Sequence, residues 1–185
     1  MKDLNPAIFI LPVTALILAG VCYWFFLKKA SNKRNYKFLI VIIFILAFIL
    51  NLAWELLQGP LYSGFTYNAE HMSFCALASI ADAIMVVLLY FALTLIYKNV
   101  FWIRELTVKR ILLIMLIGGI GAVLAEARHV QAGSWIYNDS MPIIPYTNVG
   151  LSPILQFIIL PGLIYFLSGY LLKVRDSNGK RAMKF

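Results

Sequence analysis

Apolar residues run through this chain in long, nearly unbroken stretches, without period-2 or narrow helical alternation. Five stretches, Ala7–Leu27, Phe38–Gln58, Phe74–Tyr97, Ile111–Val130 and Leu151–Leu172, each match the ~20 residues that cross a bilayer as a helix. In hydrocarbon every backbone N–H needs an internal partner, so the pattern predicts five transmembrane helices. Barrel strands are shorter and alternate in polarity, which argues against a β-barrel. No linker or composition break divides the 185 residues. The expected fold is one all-α integral membrane bundle covering the whole chain.

The charged positions sort by loop. Lys28, Lys29, Lys33, Arg34 and Lys37 lie between the first two stretches, and Lys98, Arg104, Lys109 and Arg110 between the third and fourth. Lys173, Arg175, Lys180, Arg181 and Lys184 follow the fifth. These are 14 of the 16 Lys and Arg, with Lys2 and Arg128 apart, and the second and fourth loops hold none. The positive-inside bias then places the N-terminus outside and the C-terminus in the cytoplasm. Lys, Asn and Ile usage and the short loops suit a bacterial inner membrane. Lys28 and Lys29 read as a stop-transfer flank, so the first span is expected to stay attached and not to be cleaved as a signal peptide.

Composition agrees with this. The chain is 62% hydrophobic and 13% charged, far from a soluble domain. The net charge of +8 is explained by juxtamembrane loops that attract anionic membrane lipids, and no nucleic-acid partner is expected. Cys22 and Cys75 stand at opposite ends of their helices, with heights roughly 20 Å apart. A disulfide needs Cα atoms within about 7 Å, so none is expected between them.

Three carboxylates fall within the apolar stretches, where ionisable groups are costly and face a bundle interior or a wet cavity. Asn51, Glu55 and Gln58 share one face of the second helix. Asp82 sits roughly 12 Å into the third, on a stripe with Cys75 and Ser79. Glu126 follows Gly118 and Ala122 on the close-packing stripe of the fourth, near Arg128, His129 and Gln131. Ser152 and Gln156 open the fifth. Four helices thus aim polar residues at one layer near the outer surface, which predicts an outward-facing polar pocket. Glu55, Asp82 and Glu126 are the candidate catalytic groups. Asn51, Trp54, Gln58, Arg128, His129, Trp135, Tyr137 and Gln156 are the candidate substrate contacts. A plainer role for Asp82 is a buried partner for Arg128, and Gln58, Gln131 and Ser152 also suit ordinary interfacial positions.

The fourth loop, Gly133 to Gly150, carries Trp135, Tyr137, Asn138, Asp139, Pro142 and Pro145. Its prolines and turn residues predict a structured lid. Its aromatics, with Tyr62, Tyr67 and Tyr146, equally suit an interfacial aromatic belt. His71 and His129 lack metal-site spacing, so no metal is expected. Ser134 or Ser152 with His129 and Asp82 lacks a nucleophile elbow. Neither a phosphate loop nor a dinucleotide fingerprint is present, and no cofactor is expected.

The run Asn51-x-x-Trp54-Glu55-x-x-Gln58-x-Pro60-Leu61-Tyr62 resembles a segment of small bacterial multipass membrane proteins. Trp135-x-Tyr137, Met141-Pro142-x-x-Pro145 and Gly150-Leu-Ser-Pro153-x-x-Gln156 resemble that family's second signature, and Ala81-Asp82 stands where many members have Gly-Asp. The family has no assigned reaction, so the resemblance implies topology. The Trp54-Glu55 pair is also similar to one in membrane-integral terpene cyclases, which implies protonation of an isoprenoid by an acid. Aromatic faces near such an acid would steady the resulting cation. Three classes of function stay open. One is an acid–base enzyme on a lipid or isoprenoid, an apolar small molecule. Another is a small transporter or lipid-binding protein. The third is an accessory subunit of a membrane complex, with a homo-oligomer or a membrane partner protein.

Overall fold

The computed structural model describes residues 10–182. Lys2, Lys184 and the first residues of the Ala7–Leu27 stretch lie outside the described residues. The described residues form five α-helices: α1 (Ile10–Lys29), α2 (Lys33–Gln58), α3 (Ala69–Tyr97), α4 (Val108–Gln131) and α5 (Leu151–Ala182). Among the described residues four segments, Lys33–Leu61, Ala69–Tyr97, Val108–Gln131 and Leu151–Asn178, are long and apolar enough to cross a membrane. The architecture is a multi-pass helical bundle.

The helices outrun the apolar stretches, because an apolar stretch measures contact with hydrocarbon whereas a helix end is set by who takes its free N–H groups. Asn32 caps α2 by accepting from the Asn35 N–H at 2.9 Å. Asn68 caps α3 by accepting from the His71 N–H at 2.8 Å, so the helix begins at Ala69, five residues before the stretch that starts at Phe74. Thr107 caps α4 through the Arg110 N–H. At the other extreme α5 continues ten residues past Leu172, where Asp176 binds Arg104 at 2.6 Å and Asn35 at 2.6 Å.

α2 lies between α3 and α5, α4 packs on α5, and α1 leans chiefly on α3. The α4–α5 contact depends on two residues. Pro161, inside α5, has no N–H to return to the Phe157 carbonyl, which an unbroken helix would have satisfied. Gly118 of α4 lies against that same carbonyl oxygen, and a Cβ at Gly118 would collide with it. Glycine at 118 therefore lets α4 approach α5 closely.

The ends of the bundle differ. One end carries the basic loops and a core of Tyr90, Phe91, Trp102 and Tyr165, all almost fully buried. The other end carries the α2–α3 and α4–α5 loops, and this is the lid end. There the α4–α5 loop forms a hairpin, β1 (Ile143–Ile144) paired antiparallel with β2 (Val149–Gly150). Tyr146 and Asn148 turn the hairpin with φ of 67° and 56°. The Ser63 N–H donates to the Ile136 carbonyl (2.8 Å) and the Asn138 N–H to the Leu61 carbonyl (3.0 Å). These bonds stitch the lid to the turn after α2, and the Leu151 N–H, donating to the Pro142 carbonyl at 2.7 Å, ties it to α5.

Candidate functional site

α2, α3 and α5 meet in a layer of amides and carboxylates below the lid. Gln156 of α5 is its centre and is almost fully buried, as is Asn51. Gln156 Nε2 donates to Asn51 Oδ1 at 2.8 Å and to Asp82 Oδ2 at 3.1 Å. Its Oε1 accepts from Gln58 Nε2 at 3.1 Å. Gln58 Nε2 also donates to Glu55 Oε1 at 2.9 Å, and Gln58 Oε1 accepts from the Ser152 hydroxyl at 2.9 Å. Residues 51, 55 and 58 share one helical face, and Ser152 and Gln156 lie one turn apart, so two helix faces supply most of the network.

Glu126 lies one helix over, on α4, and is buried. Its Oε1 accepts from Trp135 Nε1 at 2.9 Å and from the Tyr137 hydroxyl at 2.5 Å. The Tyr137 oxygen in turn accepts the Gly150 N–H at 3.0 Å, which fastens β2 of the lid to the same carboxylate. A Cβ at Gly150 would press on the Tyr137 ring, so the small residue there keeps this contact. The His129 ring stacks on Trp135 with centroids 4.3 Å apart.

Tyr62 completes the cluster. It pairs through its backbone with Tyr137, and its ring lies 5.5 Å from that of Tyr137 and 6.3 Å from that of Trp135. Its hydroxyl makes no hydrogen bond among the described residues. Burial raises its ionisation well above the ordinary phenol range, and Glu126, Glu55, Tyr137 and Asp82 add to the rise. The phenol therefore senses all three carboxylates at once. Tyr137 is raised too, by burial first and then by the Glu126 carboxylate it donates to.

Most of the candidate residues are brought together. Asn51, Glu55, Gln58, Asp82 and Gln156 form one network, and Glu126, His129, Trp135 and Tyr137 another beside it. Trp54 packs on the hydrophobic core, and its indole N–H has no partner among the described residues. Arg128 does not join. It is exposed at the end of α4 and makes no ion pair among the described residues, so the pairing with Asp82 is not formed. Two residues beyond Glu126 is about 200° around the helix, which turns Arg128 away from the layer. His71 is held at the start of α3 by Thr66, with Nδ1 3.0 Å from the Thr66 carbonyl. Tyr62, taken with the aromatic belt in the sequence, belongs instead to the site. The Gly59–Leu61 turn carries it back over the layer, and Pro60 was the available signal.

Glu55 and Asp82 keep partial exposure, so the network is not sealed. No three His, Cys, Asp or Glu side chains among the described residues stand close enough to hold a metal ion. Two clefts, of about 330 and 530 Å³, run along α1 and do not include the layer. Chemically, the layer offers carboxyl groups surrounded by neutral donors, beside a wall of tyrosine and tryptophan. Compared with known protein families, curated proteins and solved structures, the chain matches none.

Proposed function

We propose that this protein is an acid–base enzyme of the bacterial inner membrane, acting on a lipid or isoprenoid in a cyclase- or isomerase-like reaction. In this reading α1 is a fifth span, the N-terminus lies outside and the lid end faces outward. One observation carries it: three carboxylates lie close together at the lid end, and every side-chain donor that hydrogen-bonds them is a neutral amide, phenol or indole. Among the described residues the sole ion pair, Arg104–Asp176, is at the opposite end. A proton donor to an alkene must be a neutral carboxyl group, and surroundings without a cation suit one.

Glu55 is the proton donor in this scheme. Its proton goes to one alkene carbon, and the cation that forms at the other is steadied by the faces of Trp54, Trp135 and Tyr137. Glu126, as a carboxylate accepting from Trp135 and Tyr137, then removes a proton from a neighbouring carbon while Asp82 tunes the donor, so the substrate is isomerised or cyclised with no net change of protons. Arg128, exposed at the lid end, would hold an anionic headgroup. The aromatic core at the basic end closes the bundle there, which favours an enzyme over a transporter. The resemblance of Trp54-Glu55 to terpene cyclases points the same way.

The test is a comparative lipid profile by mass spectrometry of cells expressing wild type, Glu55→Gln or Asp82→Asn at equal membrane levels. A species formed or consumed by wild type alone supports the reading, and its mass gives the substrate class. Identical profiles in all three sink it, and a lipid retained on each purified protein would then indicate binding.

A further inference from the structure

The amides of the layer allow only one orientation. Asn51 Nδ2 lies 2.7 Å from the Ala47 carbonyl, which only accepts, so Asn51 must turn its Oδ1 toward Gln156. Gln156 then faces two acceptors, Asn51 Oδ1 and Asp82, and must present its nitrogen to both. Its Oε1 is left for Gln58, whose nitrogen serves Gln156 and Glu55 together. The Ser152 hydroxyl fills the remaining Gln58 oxygen. Both N–H groups of each glutamine are thereby committed, and neither amide nitrogen has a lone pair to accept with.

That has a consequence for Glu55 and Asp82. A proton on Glu55 Oε1 would point at the Gln58 nitrogen, which cannot accept it, and a proton on Asp82 Oδ2 would meet the same obstacle at Gln156. Apart from the amides of Gln58 and Gln156, nothing among the described residues hydrogen-bonds the Glu55 carboxyl, and Asp82 Oδ1 accepts no hydrogen bond. We propose that Gln156, with Gln58, is a positioning residue that holds one oxygen of Asp82 and one of Glu55 as obligate acceptors, so that the exchangeable proton of each rides on the other oxygen, Asp82 Oδ1 and Glu55 Oε2. The amide pair thus presents the acidic O–H of each carboxyl away from the network. The other titratable groups facing the pair are Cys75 of α3, Glu126 of α4, and Tyr62. The use of this proton in a reaction rests on the acid–base reading above, whereas its placement does not.

Infrared difference spectroscopy of the purified full chain in lipid, titrated from neutral to acid pH, tests the placement. Protonated Glu55 and Asp82 each give a carboxyl C=O band, identified by its loss in Glu55→Gln or Asp82→Asn. In wild type each C=O oxygen accepts an amide N–H, which lowers its stretching frequency. Gln156→Leu removes that donor from Asp82, and its band moves to higher wavenumber. Ser152→Ala removes a hydroxyl from the same network and moves neither band. If Gln156→Leu does not accumulate, Gln58→Leu applies the same test, shifting the Glu55 band. An Asp82 band unmoved in folded Gln156→Leu overturns the proposal, as does the lack of any protonated carboxyl band. Bands that shift as expected while Glu55→Gln leaves the lipid profile unchanged would keep the placement and defeat the acid–base reading. Unshifted bands with a lost lipid product would do the reverse.

Discussion

The basic end and the lid end of this bundle both bury polar side chains, and they satisfy them differently. At the basic end the polar tips mostly bind backbone. Tyr36 donates to the Tyr23 carbonyl at 3.0 Å, Tyr165 to the Val86 carbonyl at 2.7 Å, and Tyr90 to the Val100 carbonyl. Arg110 donates to the carbonyls of Trp102 (2.8 Å) and Glu105 (2.5 Å). At the lid end a linked set of bonds runs from side chain to side chain and ends on carboxylates. A bond to backbone pins a helix and leaves nothing over, since the carbonyl was already part of the fold. A carboxylate held through one oxygen keeps the second available. The first arrangement serves stability, and the second leaves a polar oxygen uncommitted at some cost in desolvation.

Thermal unfolding in detergent separates the ends most sharply. Trp102→Ala, which empties a nearly fully buried site at the basic end, should cost about 3–5 kcal/mol. Glu55→Gln should leave the melting temperature unchanged or raise it while product formation is lost. Comparable destabilisation by both would erase the distinction. Next in size is Gly118→Ala, whose added Cβ meets the Phe157 carbonyl and should cost about 1–3 kcal/mol in the same assay. Gly121→Ala, three residues on and facing open space, should be neutral or stabilising by up to about 1 kcal/mol.

Tyr137→Phe removes both the bond to Glu126 and the acceptor for the Gly150 N–H, at a cost of about 1–2 kcal/mol. Hydrogen exchange should quicken in the lid hairpin and stay unchanged at Trp102. Alkaline pH should act in the same place. The Tyr62 and Tyr137 phenols ionise at higher pH in the folded state than in the unfolded chain. Their stabilising contribution is therefore intact below about pH 10, the unfolded value, and is lost as pH rises through the higher folded values. Trp135 fluorescence followed against pH should report this loosening, and Tyr62→Phe should blunt it. Smallest is Arg104→Ala. Both partners of the Arg104–Asp176 pair are about a third exposed, with side-chain exposures of 36% and 32%, so solvent screens the pair. The change should cost less than about 1 kcal/mol and shrink further in high salt.

How much of this was legible in the sequence varies by scale. Four of the helices were legible as the apolar runs 38–58, 74–97, 111–130 and 151–172, because a membrane imposes one rule on every residue of a span. The ends were less clear, because the caps Asn32, Asn68 and Thr107 set them and hydropathy does not. That Asn51, Glu55 and Gln58 share a face followed from helical spacing alone. Their meeting with Gln156 did not, since it depends on how α5 is rotated about its axis, which packing at Gly118 and Phe157 decides. Arg128 was legible after all: two residues from Glu126, it had to point elsewhere. Tyr62 was hidden because its position comes from a backbone pairing with Tyr137, 75 residues away, and local pattern carries no trace of that.

The meeting of Pro161 and Gly118 bears on how the protein is made. A helix with a carbonyl released at mid-length is a poor lone occupant of hydrocarbon, because lipid offers that oxygen nothing. α5 has such a carbonyl at Phe157, and its natural cover is the glycine face of α4. Synthesis delivers α4 first. When α5 leaves the ribosome, the surface that shelters its weak point is already in the bilayer, so the order of the chain doubles as an order of assembly.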